Sequence, residues 1–406
     1  MEILFYLLII IIIVSVPLSL YFFRNPNKNE SLKDLYAEGL DMLVMGRRKV
    51  AYKNFKLIIE KDSGNIKAYL YLGQVIREGG NPKKALKVHR NLLHREDINS
   101  YDKIQLYKNI SLDYHDILDN ENSINNAKLI LDIESYNEWA LKHLIKLYKK
   151  SNEWSDAIEY LKMLFKIKSI TDNEKVALYC IQVGRIHLKN NNFDLARKMF
   201  EESMQLEPSL HIGYYFIGNS FAEESNIIYD SSIELDEDFN DSLEKNEESQ
   251  KMKLEAENLL SKAITMWGYF IEYMPEYSWM ILPTLKDALQ ALHRYDDIEK
   301  FLIQANENYN KNNVDILSHL ADFYANKGEI DKALKTINSV LEGNKDSLLA
   351  RLKKMKINLL QNKENSLSVE VDKLILSLQR DKRFIKYKQS YNDKNMRWLF
   401  ETNNIN

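Results

Sequence analysis

The sequence predicts an all-α chain, a solenoid of antiparallel helix pairs behind an apolar N-terminal helix. Three observations predict it. Glycine (12) and proline (6) are scarce among 406 residues, while Leu, Ile, Lys and Glu are plentiful. Small residues recur 34 apart: Gly39 and Gly73, Gly46 and Gly80, Ala51 and Ala85, then Gly184 and Gly218. Residues 3–23 carry no charge at all.

The N-terminal stretch reads ILFYLLIIIIIVSVPLSLYFF. As a helix it would span ~31 Å, the thickness of a bilayer's hydrocarbon core. Pro17 is tolerable in a spanning helix, and Tyr21, Phe22 and Phe23 suit an interface. A cleaved signal peptide fits poorly: no Lys or Arg precedes the run, and no A-x-A-like site follows it. Arg24, Lys28 and Lys33 follow the run, so the positive-inside rule places the rest of the chain in the cytoplasm.

A 34-residue period with two helices per unit is that of the tetratricopeptide (TPR) repeat. Gly, Ala or Ser is needed where helix A crosses helix B, because only a small side chain lets the backbones approach. About eight units follow over residues 32–380. The first has Gly39, Gly46, Ala51 and Phe55, and the second runs through GNPKKALKVHRNLLHRED. The third is degenerate around Leu112, Tyr114 and Ala127; the fourth has Leu141, Tyr148 and Ala157. Gly184, Ala196, Phe200 and Pro208 mark the fifth, and the sixth starts at Gly218 and resumes at Ala263, Trp267 and Pro275. Leu289 and Ile298 belong to a seventh, Ala321, Tyr324, Gly328 and Ala333 to an eighth, and one more amphipathic helix runs from Leu367 to Leu378.

Unit six is interrupted at about residues 223–256. Eleven Asp or Glu against the single Lys245 lie between Glu223 and Glu248. Low hydrophobicity with high charge predicts a disordered excursion there. The tail, 383–406, is aromatic and polar without a helical period.

The formal net charge of −3 gives no global field for nucleic acid, and one cysteine, Cys180, permits neither an internal disulfide nor a cysteine-based zinc site. P-loop, dinucleotide, H-E-x-x-H and G-x-S-x-G patterns are absent, and the eight histidines are scattered. No enzyme activity, cofactor, metal or small-molecule substrate is expected. Function then rests on the groove lined by the A helices. Its expected exposed positions are Gln74, Arg77, Lys142, Lys146, Lys149, Arg185, Tyr215 and Asn219, a basic, partly aromatic lining suited to an acidic protein face.

The order of parts, with the run His89, Arg90, Asn91 and Leu92 in residues 80–97, resembles the lipopolysaccharide assembly protein B family. In that family the tail is a rubredoxin-like metal ribbon. Here Phe384, Ser390, Tyr391 and Trp398 fall at its aromatic and glycine positions. Its four cysteine positions hold Lys386, Gln389, Phe400 and Asn403, and its proline position holds Glu401. With no thiolate left, the resemblance implies a vestigial ribbon without metal, packed on the array through Phe384, Tyr391 and Trp398. It also implies a bacterial inner-membrane adaptor that presents the deacetylase committing carbon to lipid A to a membrane AAA+ protease. The alternative is a generic TPR assembly factor for another envelope complex.

Overall fold

The structure, a computed structural model, describes residues 31–237, 243–308, 313–345, 347–362, 364–380 and 394–399. The expected membrane span at 3–23, with Arg24 and Lys28, lies outside these residues. Among the described residues no helix is long and apolar enough to cross a membrane, and there is no strand.

The chain divides into two compact units, one ending at Leu144 and one beginning at Ile145. The first contains α1 (Leu32–Val44), α2 (Arg48–Lys61), α3 (Ile66–Glu78), α4 (Pro82–Leu92), α5 (Ser100–Asp116), α6 (Asn120–Ile133) and the first part of α7 (Glu138–Lys150). The second contains the rest of α7, then α8 (Trp154–Lys168), α9 (Asn173–Lys189), α10 (Phe193–Leu206), α11 (Ile212–Glu237) and α12 (Leu243–Tyr273). A 3₁₀ turn (Pro275–Met280) precedes α13 (Leu282–Ala291), α14 (Tyr295–Asn308), α15 (Val314–Asn326), α16 (Ile330–Gly343), α17 (Leu348–Gln361) and α18 (Asn365–Arg380). A second 3₁₀ turn spans Lys394–Leu399.

Local chemistry sets these boundaries. Ser31 and Asp34 form a reciprocal capping box on α1, and Asn65, Asn99, Asp119, Asp172, Asn313 and Ser347 cap later helices through their side chains. The turn from helix A to helix B needs one left-handed residue. Gly46, Gly80 and Gly328 supply it at φ +73°, +88° and +90°. Leu118, Asn152, Asn191 and His293 hold the corresponding place in other units at φ between +55° and +69°.

Pairing within each unit follows the small residues. A Cβ on Gly39 would lie 3.0 Å from the Phe55 ring, and one on Gly184 would lie 2.4 Å from Phe200. The large partner stands sixteen positions after the small residue in both cases. Phe55 and Phe200 are fully buried, each contributing roughly 1.5–3 kcal/mol by burial. Phe55 stacks on Tyr71 in the first unit, and Phe200 on Phe216 in the second. Cys180 is also core, and its burial pushes the thiol up to about 11. Trp154, Trp267 and Trp279 are core residues too.

The acidic stretch 223–256, expected as a disordered excursion, is helical throughout its described residues. It lengthens α11 to 26 residues and α12 to 31, forming an antiparallel hairpin. The cause is a seam of small residues at heptad spacing: Gly218, Ser225 and Ser232 on α11, and Ser249, Ala256 and Ala263 on α12. All six are buried. The Ser225 hydroxyl donates to the Ala256 carbonyl at 2.7 Å, and Ser249 donates to the Ser232 carbonyl at 3.2 Å. Lys253 pairs with Asp236 at 2.6 Å on the rim.

Of the tail, the structure describes only residues 394–399. Lys394–Leu399 is a 3₁₀ turn packed on the second unit. Phe384, Lys386, Gln389, Ser390, Tyr391, Phe400, Glu401 and Asn403 lie outside the described residues.

Candidate functional site

In the first unit, the A helices α1, α3 and α5 border a polar cavity of about 330 Å³. That is at the low end for ligand pockets. Tyr36, Tyr71 and Tyr101 supply aromatic walls, and Gln74, Gln105 and Asn109 supply amides. The cations are Lys67, Arg77 and Lys108. Asp102 is buried there, and its Oδ1 has no hydrogen-bond partner among the described residues.

Of the predicted groove residues, Gln74 lines this cavity and bonds to Glu78 at 2.8 Å. Arg77 was expected on an open face, but it is buried at 9% exposure. Its Nη1 donates to Asp113 at 3.2 Å and to the Asn109 side chain at 3.0 Å. Asp113 has no exposed surface, and its other oxygen lies 2.5 Å from His89 Nδ1. The opposite ring nitrogen of His89 faces the Leu70 carbonyl at 3.1 Å. Arg77, Asp113 and His89 therefore form one buried polar chain linking α3, α4 and α5. His89 stands where other repeats put Phe55 or Phe200. The motif residue His89 is thus a core group, as is Leu92, while Arg90 and Asn91 are exposed.

Lys108, which sequence reasoning missed, is the more available cation. Its amine lies 5.1 Å from the Trp139 ring centroid and has no carboxylate partner among the described residues. Burial, and then the neighbouring Arg77 charge, lower its pKa. The visible signal was the α5 register: Tyr101, Gln105, Lys108 and Leu112 recur at helical spacing along one face.

The predicted lysines share one face of α7. Lys142 pairs with Glu138 at 2.6 Å, and Lys146 is exposed. Lys149 sits over Trp154 and Tyr179, at 5.5 and 5.2 Å from their ring centroids.

In the second unit, Arg185, Tyr215 and Asn219 were expected to be open to a partner. Asn219 instead accepts a hydrogen bond from Trp267 Nε1 at 3.0 Å, tying α11 to α12. Tyr215 is half-buried, and desolvation raises its hydroxyl pKa. Arg185 lies under the chain's own tail, its guanidinium 4.7 Å from the Trp398 ring centroid. Burial lowers the Arg185 pKa to about 10. Among the described residues, no group of three or more His, Cys, Asp or Glu is placed to hold a metal ion.

No family model matches the chain. The chain is similar to lipopolysaccharide assembly protein B of Haemophilus influenzae, 24% identical over 289 residues that cover 69% of this chain and 64% of that protein. It is likewise similar to the protein of the same name from Escherichia coli K12, 21% identical over 169 residues, 41% of this chain and 43% of the relative. The chain thus spans less than two thirds of the length of the relatives it matches. Among solved structures, a tetratricopeptide repeat protein from Parabacteroides merdae is 14% identical, with a TM-score of 0.33, covering 70% of this chain and 95% of that one.

Proposed function

We propose that this chain is a non-catalytic, membrane-anchored TPR scaffold acting in lipopolysaccharide assembly. The likeness to two proteins named for that process supports the process, and the cavity of the first unit supports the mode of action. One observation carries the binding part: the Lys108 amine, beside Arg77, borders a cavity without a carboxylate partner among the described residues. An acidic side chain from a client protein would supply that partner in a half-desolvated site, where charge pairing counts for more than on open surface. The tyrosine walls would take the client's apolar neighbours.

In this reading residues 3–23 anchor the chain in the bacterial inner membrane, with the repeats on the cytoplasmic side. The client is the deacetylase that commits carbon to lipid A, and the second partner is a membrane AAA+ protease. No nucleic acid, cofactor or small-molecule substrate is involved.

The deciding experiment is the steady-state level of that deacetylase after depletion of this protein. A several-fold rise with slowed turnover is expected. An unchanged level overturns the adaptor reading and favours a general assembly factor for another envelope complex.

A further inference from the structure

The seat of the C-terminal turn has the features of a peptide-binding site. Gln182 Nε2 on α9 donates to the Trp398 carbonyl at 2.8 Å. The Ile212 backbone N–H, at the start of α11, donates to Asn395 Oδ1 at 3.3 Å. Met396 is fully buried in the core of the second unit. The Trp398 indole meets Phe216 edge to face at 4.9 Å, with the Arg185 guanidinium 4.7 Å from its centroid. At the rim Arg397 pairs with Glu174. Backbone capture, one buried methionine and one indole against a guanidinium are how a groove reads a short linear segment.

Two features bear on how firmly this occupant is held. The Trp398 Nε1 is buried without a hydrogen-bond partner among the described residues, which weakens its seat. Four residues, 395–398, supply the described contacts, and thirteen residues lie between the end of α18 and the start of this turn. Attachment through a short connection raises the local concentration to the order of millimolar, so even a weak segment stays seated.

We propose that the groove between α9 and the start of α11 is a binding site for a partner protein's segment of the Asn-Met-Arg-Trp type. Residues 394–399 are its resident ligand, and they must leave before the partner enters. This site is separate from the cavity of the first unit, and the proposal does not depend on the client assigned there.

The test is fluorescence anisotropy with a labelled peptide of residues 393–400, DKNMRWLF, added to the full chain. Trp398→Ala empties the indole seat while the groove remains. It is expected to bind the peptide at least about tenfold more tightly than the unaltered chain, which its own tail blocks. Adding Arg185→Glu to Trp398→Ala is expected to abolish that binding. Should Trp398→Ala fail to fold, Arg397→Glu, placed against Glu174, loosens the tail from the solvent side and serves as the open form. Equal binding to the open and unaltered chains, binding to neither, or binding that survives Arg185→Glu would each overturn the proposal.

Discussion

The imidazole of His89 occupies the space a Cβ on Gly73 would need: its Nε2 would lie 2.1 Å from that carbon. The ring cannot withdraw, because Asp113 holds one nitrogen and the Leu70 carbonyl faces the other. Gly73→Ala is therefore expected to destabilise the chain by about 3 kcal/mol or more. Gly39→Ala is the control, because its new carbon would meet the Phe55 ring at 3.0 Å, where a small shift gives relief. It should cost about 1 kcal/mol. Urea denaturation of both variants checks the order; equal losses would show that His89 is free to move.

Leu118 is exposed at 74% and holds φ +69°, a strained place for a side chain with a Cβ. Leu118→Gly should raise stability by about 0.5–1 kcal/mol, the strain relieved exceeding the chain entropy added. A lower midpoint of thermal unfolding would contradict this.

Asp322 on α15 carries an acid-sensitive part of the second unit. Burial alone would raise its carboxyl pKa, but Lys353 at 2.9 Å and Lys356 at 2.7 Å reverse this and hold it well below the usual range. A carboxylate depressed in the folded state stabilises above its unfolded pKa, near 3.9, and that contribution fades as pH falls below about 4. Asp322→Asn should cost about 2–3 kcal/mol at neutral pH, because among the described residues it leaves the two buried lysines only Asp372, 2.8 Å from Lys356 and 3.9 Å from Lys353. It should also lose less stability than the unaltered chain between pH 5 and 3. Parallel acid titrations followed by circular dichroism compare the two slopes; identical slopes would remove Asp322 from the acid response.

The α11–α12 hairpin is held by its small-residue seam, so a large side chain there should force the arms apart. Ser225→Leu, replacing a residue that is 4% exposed, is expected to cost about 2–3 kcal/mol. It should also open residues 223–237 and 247–256 to limited proteolysis that the unaltered chain resists. Rapid cleavage within these arms in the unaltered chain would return the hairpin to the disordered excursion expected from its composition.

For the cavity of the first unit, Lys108→Glu should weaken an acidic client segment by about tenfold and abolish most of the salt dependence of binding. Reversing Lys142 and Lys146 to Glu provides a comparison on an exposed helix face. A larger effect from that pair than from Lys108→Glu would relocate the client to α7.

Much of the fold was legible because one physical demand repeats. Close crossing of helix A over helix B needs a small residue, so Gly39, Gly73, Gly184 and Gly218 stand out at a fixed period. Arg77 was misplaced for a definable reason. Its acceptor, Asp113, belongs to the degenerate third repeat, where no regular spacing flags a buried carboxylate. The hairpin was missed because charge and hydrophobicity averaged over the stretch conceal six small residues at every seventh position. Composition measures how much apolar surface a segment can bury, not how closely two backbones can approach. Trp398 was read as an aromatic packed on the array, but the groove beneath it could not be inferred from helical register alone.

The bond from His89 and Arg77 in the second repeat to Asp113 in the third also acts as an address. Repeat arrays gain stability from nearest-neighbour interfaces, and nearly identical apolar faces risk pairing with the wrong neighbour. A buried carboxylate paired with an arginine and hydrogen-bonded to a histidine suits a neighbour that carries both and is costly beside one that carries neither. In the first unit, then, the order of modules is encoded in charge, and a repeat bearing Phe at the His89 position could not be transplanted there without also replacing Asp113.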